Sequence, residues 1–436
     1  MTADRMLTVE EAQEVVLDSV SASGTERVPL AESQDRVLAE DVAPRFDVPP
    51  QDNSSVDGYA VRAEDTSGAS EDAPCRLEVL EEIPAGTVPS AHVVPGKSSR
   101  IMTGAFLPGG ADAVVMVEHT RQNAESVEIL KAVKPGQNVR YRGEDVKQGQ
   151  RVLFTGAEIG PGEIGLLAAF QRSQVAVRRR PAVAILSTGD EVVDIDERLE
   201  PGKIVNSNSY SLAALVRACN GRPVNLGIAR DSEAEISKAI RSALSADVVL
   251  STGGVSVGDY DYVKKVLEDL GTDMRFWRVK MKPGKPLAYG LLQGKPFFGL
   301  PGNPVSCMVS FLLFARPALR KMMGYSPHDW RLPTVQAELE NDLTAGGDRR
   351  HYLRARITCT GGRFYASTVA GQGSGMLSSM TGTNGLVVVE TGVTALPRGS
   401  EVQVLLMGAA GHDAVGLGAA GTSDGTIQGA AGKDSP

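Results

Sequence analysis

A glycine-rich segment with several hydroxyl side chains lies in the stretch ADVVLSTGGVSVGDYDYVKK, residues 246–265. An apolar run leads into Gly253, Gly254 and Gly258, and a helical pattern follows them. In that order, backbone N–H groups and a helix N-terminus can surround an anion. Further hydrogen bonds could come from the hydroxyl groups of Ser251, Thr252 and Ser256. The segment fits neither the dinucleotide-binding glycine pattern nor the P-loop, so a plain strand-to-helix turn is an equal alternative for it alone.

Two nearby segments strengthen the anion-binding interpretation. RVKMKPGKPLAYG places Lys280, Lys282 and Lys285 around a Pro-Gly turn, and GLPGNPVSCMVSFLLF repeats the order of strand, glycine loop and helix. Donor-rich loops that follow parallel strands meet in one crevice at the carboxyl edge of the sheet. A single lysine on a hairpin more often faces solvent. Together with two glycine loops, the lysines predict a pocket for a small, highly charged anion.

Acidic residues recur at the ends of the predicted strands. They are Asp190, Glu191, Asp231, Asp259 and Asp261. Carboxylates that face a phosphate pocket commonly hold a bridging Mg²⁺, which makes Mg²⁺ the expected cofactor. Asp231 adjoins a helix start and could instead cap that helix. Glu191 and Asp261 have no comparable structural task.

Strands and helices alternate from Pro181 onward, which predicts an α/β domain with a parallel-rich sheet. Helix boundaries are signalled by capping boxes and by glycines that can end a helix. The capping boxes pair Thr8 with Glu11 and Ser232 with Glu235, and the stop glycines are Gly221 and Gly271.

The flanking regions have a different character. Residues 44–153 contain short β-like runs separated by turn signals, which predicts a separate β domain. After Gly324 the sequence returns to β-like runs, and from Gly408 it consists largely of Gly, Ala, Ser and Asp. We expect the final segment to be a disordered tail.

Composition and charge exclude several classes of protein. The 436 residues are 42% apolar and 22% charged, as in ordinary globular proteins, and the length favours several domains. Lys and Arg total 45 against 53 Asp and Glu, so the net charge of −8 gives no general attraction to nucleic acid or anionic membrane. The four cysteines form no CxxC pair, and the start resembles no signal peptide. We expect a cytoplasmic protein.

Several long motifs, in order, resemble the molybdenum insertases of molybdenum cofactor synthesis, the MoeA family that includes the gephyrin E domain. In the α/β region these motifs are STGDE, TGGVSVGDYDY, KPGKP and GLPGNPVS. Before them come SSVDGYAVRAED around Asp57, RIMTGAFLPGGADAVVMVE around Thr103 and VRYRGEDVKQGQ around Asp145. After them, DRRHYLR and QGSGMLSSMTGTNGL are similar to the family's C-terminal domain. The resemblance covers the chain from Thr8 to Leu406.

The resemblance implies a multidomain α/β plus β protein that forms a homodimer. Its central domain would be a molybdopterin-binding, MogA-like α/β domain with a parallel-rich sheet. The implied division is an elongated domain of residues 1–45 with 146–180, an inserted β domain of 46–145, the α/β domain of 181–326, a C-terminal β-barrel of 327–408, and a tail of 409–436.

The resemblance also assigns roles to residues of this sequence. The implied catalytic residues are Asp57, Thr103, Asp145, Glu191, Asp231, Asp261, Lys282 and Lys285, of which Glu191, Asp231 and Asp261 would bind Mg²⁺. The residues expected to contact the bound pterin phosphate or molybdate are Gly253, Gly254, Ser256, Gly258, Pro301, Gly302, Asn303, Ser306, Arg349 and Arg354. Asp57, Thr103 and Asp145 would come from the partner subunit of the dimer, although each could locally be a loop-bracing residue. An outward salt bridge is an equal alternative for either arginine.

The implied reaction transfers molybdate into adenylylated molybdopterin with release of AMP. Adenylylated molybdopterin and molybdate would be the substrates, and contacts with a molybdopterin adenylyltransferase and apo-molybdoenzymes are further expectations. Two alternatives remain at this point: a molybdopterin adenylyltransferase, which would use ATP and stop before metal insertion, and a non-catalytic scaffold like gephyrin.

Overall fold

The computed structural model describes residues 5–254 and 262–407. The predicted site residues Ser256, Gly258 and Asp261 lie outside the described residues, as does the expected tail. Residues 27–177 form one compact unit, and the residues up to 26 and from 178 onward form a second. No helix in the described ranges is long and apolar enough to cross a membrane.

The chain begins with a helix that belongs to the second unit. Helix α1 spans Val9–Asp18, and the predicted capping box of Thr8 and Glu11 is confirmed. Thr8 Oγ1 accepts a hydrogen bond from the Glu11 N–H, and the Glu11 carboxylate accepts one from the Thr8 N–H. This reciprocal pair satisfies two N–H groups that a helix start otherwise leaves without partners.

The unit of residues 27–177 is mainly β structure around an antiparallel-rich sheet. Its strands are β1 (Thr25–Pro29), β2 (Asn53–Ser54), β3 (Gly58–Val61), β4 (Cys75–Ile83), β5 (Lys97–Ile101), β6 (Ala113–Met116), β7 (Thr120–Gln122), β8 (Ser126–Ile129), β9 (Val139–Arg140) and β10 (Gln174–Arg178). Helix α2 spans Pro161–Ala169. Six strands form one sheet in the order β6-β3-β5-β4-β8-β7. A cluster of fully buried side chains, including Tyr59, Val115 and Ile129, packs against it.

The α/β region follows in the second unit. Its strands are β11 (Ala182–Thr188), β12 (Val192–Val193), β13 (Ile204–Val205), β14 (Arg222–Ala229), β15 (Val248–Thr252), β16 (Asp273–Arg278), β17 (Met281–Lys282), β18 (Pro286–Leu292) and β19 (Lys295–Leu300). Its helices are α3 (Ser207–Ala218), α4 (Glu233–Ala243), α5 (Tyr262–Asp269), α6 (Pro304–Ser310), α7 (Arg316–Met322) and α8 (Pro327–Trp330), with a π-helical segment, Phe311–Ala315, joining α6 to α7.

The predicted parallel-rich sheet is confirmed. Strand order is β14-β11-β15-β19-β18-β16, and the first four strands run parallel. The last two strands are antiparallel to their neighbours. Every residue of β11 is buried, as expected for a central parallel strand with its two faces covered. The carboxyl ends of β11, β15 and β19 therefore lie side by side.

The structure corrects one helix boundary. Helix α3 ends at Ala218, and Asn220, rather than the predicted Gly221, adopts the left-handed conformation with φ +64°. The Gly221 N–H reaches back to Val216 O at 2.9 Å, as in a Schellman motif. A Cβ on Gly221 would lie 2.9 Å from Val216 Cγ1, so close packing explains the glycine. Gly271 does follow α5 with φ +69°.

The C-terminal residues form the expected β-barrel. Its strands are β20 (Thr334–Leu339), β21 (Leu343–Thr344), β22 (Arg350–Thr360), β23 (Arg363–Thr368), β24 (Gly385–Val389), β25 (Ala395–Leu396) and β26 (Glu401–Leu406). Five strands close in the order β22-β23-β20-β26-β24, and β24 pairs back to β22. Strand β17 of the α/β region pairs in parallel with β22. This pairing fixes the lysine loop against the barrel.

Candidate active site

A cavity of about 1180 Å³ lies at the carboxyl ends of the parallel strands. Its walls come from the strand ends, the lysine loop, the loop before α6, the start of α3 and one loop of the barrel. Ten predicted site residues line it: Glu191, Gly253, Gly254, Lys282, Lys285, Pro301, Gly302, Asn303, Ser306 and Arg349. This is the position where ligands bind in open α/β sheets.

A buried polar network supports the floor of the cavity. Ser187 Oγ lies 3.0 Å from Asn206 Oδ1, 2.8 Å from Ser209 Oγ and 3.3 Å from Thr252 Oγ1. Asn206 is the N-cap of α3 and accepts a hydrogen bond from the Ser209 N–H at 3.2 Å. All four residues are less than 5% exposed. Because these hydroxyl and amide groups satisfy one another, they fix the ends of β11 and β15 relative to α3.

The two described glycines of the first loop have a packing role as well as a place in the wall. Gly253 and Gly254 have φ values of +88° and +62°. A Cβ on Gly253 would lie 2.7 Å from Thr188 O, and one on Gly254 would lie 2.5 Å from Val263 Cγ2. Close packing therefore accounts for both glycines without a ligand. Ser251, considered as a donor, is fully buried and does not line the cavity.

The loop before α6 is held from two sides. Asn208 Nδ2 donates a 2.8 Å hydrogen bond to Gly302 O, while Asn303 Nδ2 donates a 3.1 Å bond to Ser374 Oγ of the barrel. The N–H of Val305 also donates to Ser374 O at 3.1 Å. Ser306, in the first turn of α6, is 5% exposed and lines the cavity. The loop is therefore set by both the α/β sheet and the barrel.

One wall of the cavity is cationic. Lys282 and Lys285 are exposed and line it together with Arg349, and within residues 5–254 and 262–407 neither lysine forms an ion pair with a carboxylate. Arg349 Nε lies 3.4 Å from Asp348 Oδ1, whose side chain is 90% exposed. A carboxylate so fully hydrated neutralises the guanidinium only weakly. Three cationic groups are thus available to an anionic ligand. Lys280 does not line the cavity.

His351 lies beside this wall, in the β22 position that pairs with Lys282. The imidazole is buried, and burial lowers its pKa below the ordinary value of 6.5. The positive charges of Lys282 and Arg349 lower the pKa further, because they disfavour the imidazolium form.

The acidic residues at the strand ends are only partly brought together. Glu191 lines the cavity, whereas Asp231 is exposed and does not. The Asp190 N–H donates to Asp231 Oδ2 at 3.3 Å, and the Asp231 N–H donates to Asp190 Oδ1 at 3.1 Å. Asp231 thus ties two strand ends together, and Ser232, not Asp231, caps α4.

These carboxylates give an incomplete test of the predicted Mg²⁺ site. Among the described residues, no group of three His, Cys, Asp or Glu side chains could hold a metal ion. Oxygen ligands suit Mg²⁺, which usually keeps several waters and needs only one or two protein carboxylates. Glu191 and Asp231 are of the right chemical type, and the third predicted ligand, Asp261, lies outside the described residues. The Mg²⁺ site therefore stays a prediction.

A barrel loop completes the cavity and was not predicted residue by residue. Its lining residues are Gln372, Gly373, Ser374 and Gly375. The motif QGSG was noted in the sequence, but no local pattern there indicated contact with a loop about 70 residues earlier. The start of α3 was missed for the same reason, although Asn206 and Asn208 are typical of helix starts.

Arg354 and Arg349 have different surroundings. Arg354 is fully buried, but it lies on the face of β22 opposite the barrel-core residues Leu353, Ala355 and Ile357, and it does not line the cavity. Its guanidinium instead donates hydrogen bonds to the backbone of the lining loop, at Gly371 O and Gly373 O. The structure therefore places the predicted contact residue behind the wall.

The remaining predicted residues lie in the unit of residues 27–177, where Asp57, Thr103 and Asp145 are all exposed. Asp57 Oδ1 accepts two hydrogen bonds from Thr103, one from the N–H and one from Oγ1, each at 2.7 Å. These bonds, first that of the hydroxyl and then that of the N–H, lower the pKa of Asp57 below 3.8. Asp57 is therefore a carboxylate at neutral pH, in a fixed orientation.

Comparison with known proteins gives the chain's family. Three family models match it: the MoeA N-terminal region (domains I and II) over residues 7–170, a probable molybdopterin-binding domain over 184–321, and the MoeA C-terminal region (domain IV) over 336–407. A protein of Nostoc sp. named molybdopterin molybdenumtransferase is 40% identical over 390 residues, covering 88% of this chain and 89% of that protein. The chain belongs to the MoeA family.

Other members agree with this assignment. Molybdopterin molybdenumtransferase 2 of Mycobacterium tuberculosis is 39% identical over 408 residues, 92% of this chain and 99% of that protein. The crystal structure of a molybdopterin biosynthesis MoeA protein from Pyrococcus horikosii has a TM-score of 0.80 at 35% identity, with 93% of this chain and all of that chain covered. The family resemblance and the fold class predicted from the motifs are confirmed.

Proposed function

We propose that this MoeA-family protein is a molybdopterin molybdenumtransferase that transfers molybdate into adenylylated molybdopterin and releases AMP. The observation that carries the proposal is the 1180 Å³ cavity with Lys282, Lys285 and Arg349 on one side and the strand-end loops on the other. The molybdenumtransferase names of relatives at 33–40% identity over most of the chain support it.

The chemistry of the substrates explains why a cationic wall is needed. Molybdate is a dianion that must approach a dithiolene already attached to phosphate groups. Two unit charges about 4 Å apart at an effective dielectric of 20 repel by about 4 kcal/mol. The three cationic side chains would offset this repulsion, and Ser306 would donate a further hydrogen bond. Anion binding and electrostatic compensation are thus the roles of the cavity residues.

The Mg²⁺ part of the proposal assigns the ion to Glu191, Asp231 and Asp261. When bound, Mg²⁺ would neutralise charge that develops on the scissile phosphate. The hydrogen bonds that the backbone N–H groups of Asp190 and Asp231 donate to each other's carboxylates would hold the acidic turn in place for the ion. Removal of Mg²⁺ with a chelator should therefore suppress AMP release without unfolding the protein.

Several finer features belong to the same proposal. The protein would work as a cytoplasmic homodimer of four domains per chain, divided at the boundaries expected from the sequence. Asp57, Thr103 and Asp145 would act in the cleft between the two subunits. Apo-molybdoenzymes and a molybdopterin adenylyltransferase would be its partners for receiving product and supplying substrate.

The proposal is tested by incubating the full-length protein with adenylylated molybdopterin and Mg²⁺, with and without molybdate. AMP release that depends on molybdate is expected. Equal AMP release without molybdate, or none with it, would rule out the transferase function. A parallel sample with ATP and free molybdopterin tests the adenylyltransferase alternative, which predicts adenylylated product. If the protein forms neither AMP nor adenylylated product, the non-catalytic scaffold is the alternative that remains.

A further inference from the structure

Arg354 is a buried charged residue whose partners are all neutral in the described structure. Nε donates to Ser379 Oγ, and Nη2 donates to both Gly371 O and Gly373 O, each at 3.1 Å. Nη1 is buried without a hydrogen-bond partner. Burial lowers the pKa of Arg354, but a guanidinium is so strongly basic that the group stays charged near neutral pH. Such burial is costly, so the contacts of this side chain call for a functional explanation.

The loop that Arg354 contacts is also held by a side chain of its own. Gln372 Nε2 donates to Arg354 O and to Val369 O, both at 2.9 Å, and Gln372 Oε1 accepts from the Arg354 N–H at 3.0 Å. Gly371 has φ +76°, and a Cβ there would lie 2.6 Å from Met376 Cε. The loop is therefore fixed in one conformation on strand β22.

The orientation of the loop peptides follows from these bonds. In a trans peptide the C=O and the next N–H are coplanar and point in opposite directions. Because Gly371 O and Gly373 O point to Arg354, the N–H groups of Gln372 and Ser374 point away from it. Residues 372–375 line the cavity, whereas Arg354 does not. Neither N–H group donates to another residue within the described ranges.

We propose that Arg354 is a positioning residue, which orients the Gly371–Ser374 peptides so that the N–H groups of Gln372 and Ser374 receive an oxygen of the bound molybdate. This inference rests on the proposed function, because it takes molybdate as the anion. Paired N–H groups in a glycine loop are a common way to bind an anion. Arg354 acts through the two carbonyl groups and does not touch the anion.

This role differs from direct coordination in a way that substitutions can separate. A direct ligand depends on the guanidinium itself, and Lys would keep much of the attraction. A positioning residue depends on the loop geometry, so removing the Gln372 side-chain bonds should have the same effect as removing Arg354. Arg354→Lys places all its donors on one nitrogen and cannot reproduce the separate Nε bond to Ser379 and Nη2 bonds to Gly371 and Gly373, so it should fail as well.

The test compares the full-length wild type with Arg354→Met, Arg354→Lys and Gln372→Met, and uses Arg356→Met as the control. Arg356 lies on the same strand but is exposed, and within the described ranges no hydrogen bond or ion pair joins its side chain to the loop. Molybdate binding is measured by calorimetry without the pterin substrate. Hydrogen exchange of the peptide covering residues 369–376 is measured with and without molybdate. Steady-state kinetics give KM separately for molybdate and for adenylylated molybdopterin.

We expect all three loop variants to bind molybdate about tenfold or more weakly, because hydrogen bonds to a charged group are stronger than those between neutral groups. KM for molybdate should rise by a similar factor, more than KM for adenylylated molybdopterin. Molybdate should slow exchange of the 369–376 peptide in the wild type and Arg356→Met only. Wild-type molybdate binding by Gln372→Met or by Arg354→Lys would overturn the positioning role, even if Arg354→Met binds more weakly. If Arg354→Met does not fold, the other two variants decide.

The outcomes also separate this inference from the proposed function. A wild type that releases no AMP with molybdate contradicts the transferase function. If the wild type releases AMP with molybdate, but the loop variants keep its molybdate affinity and its hydrogen exchange, only the role of Arg354 is contradicted.

Discussion

Asn303 Nδ2 donates a 3.1 Å hydrogen bond to Ser374 Oγ, which joins the loop before α6 to the barrel loop that closes the cavity. The Val305 N–H adds a second bond, to Ser374 O, at 3.1 Å. The cavity therefore has walls from two folded regions whose residues lie about 70 positions apart. Its shape depends on the contact between them.

We predict that Asn303→Ala raises KM for both substrates several-fold while destabilising the protein little. Loss of one partly exposed hydrogen bond costs roughly 1 kcal/mol. Thermal unfolding and steady-state AMP release measure the two effects. Asn341→Ala is a matched control, because Asn341 Nδ2 donates to Thr368 Oγ1 at 2.7 Å in a part of the barrel that does not line the cavity. If both variants have the same KM values as the wild type, the bridge does not shape the site.

Lys285→Ala should lower kcat/KM by about 100-fold, the usual loss when one preorganised electrostatic contact to a reacting group is removed. The melting temperature should stay nearly constant, because Lys285 is exposed in the cavity wall. Lys282→Ala should have the same effect on kcat/KM and on the melting temperature. The exposed Lys238 of α4 serves as the control, and Lys238→Ala should keep full activity. A Lys285→Ala variant with wild-type kcat/KM would exclude the lysine loop from the site.

Thr103→Val should raise the pKa of Asp57 toward 3.8 without restoring it fully. The hydroxyl bond, the largest cause of the lowered pKa, is lost, while the bond from the Thr103 N–H remains. A ¹³C NMR titration of the Asp57 carboxylate measures the change. The lowered pKa of Asp57 stabilises the folded protein. This stabilisation is fully present above the pKa of Asp57 in the unfolded chain, and it is lost as the pH falls through the lowered pKa of the folded state. Thr120→Val, which removes a bond to the carbonyl of Val117 and not to a carboxylate, should leave Asp57 unchanged.

His351 should make the protein less stable in mildly acid solution. Its folded pKa lies below 6.5, first because the imidazole is buried and then because Lys282 and Arg349 are positively charged. The unfolded chain therefore binds a proton first, and stability falls as pH drops from 6.5 to the lowered folded pKa. Denaturant unfolding at pH 7.5 and 5.5 should show a smaller difference for His351→Asn than for the wild type. The exposed His328→Asn variant should match the wild type.

Much of the fold could be predicted from local sequence signals. The capping box of Thr8 and Glu11, the strand–glycine–helix order around Gly253, and the β-runs after Gly324 each depend on residues a few positions apart. Local dihedral preferences and hydrophobic periodicity decide such features. The end of α3 was misplaced by one residue because Asn, like Gly, tolerates the left-handed conformation.

The cavity was predictable only on its α/β side. The loop at Gly302 follows β19, whose parallel pairing with β15 the alternating pattern predicts. Lys282 and Lys285 lie between the antiparallel strands β16 and β18, and their residue types, not strand pairing, indicated them. Ser374 reaches the cavity through the pairing of β17 with β22 and through barrel closure, which join distant segments and leave no local pattern. Arg354 shows the limit of reasoning from residue type, because a guanidinium can donate to backbone carbonyl groups as readily as to an oxyanion.

Binding of tungstate to crystals of the protein, located by its anomalous scattering, tests the central claim most directly. Tungstate has the charge of molybdate and closely similar size. The proposed site predicts a peak in the cavity, within hydrogen-bonding reach of Lys282 or Lys285 and of the N–H groups of Gln372 and Ser374. A fully occupied peak elsewhere, with none in this cavity, would contradict the account.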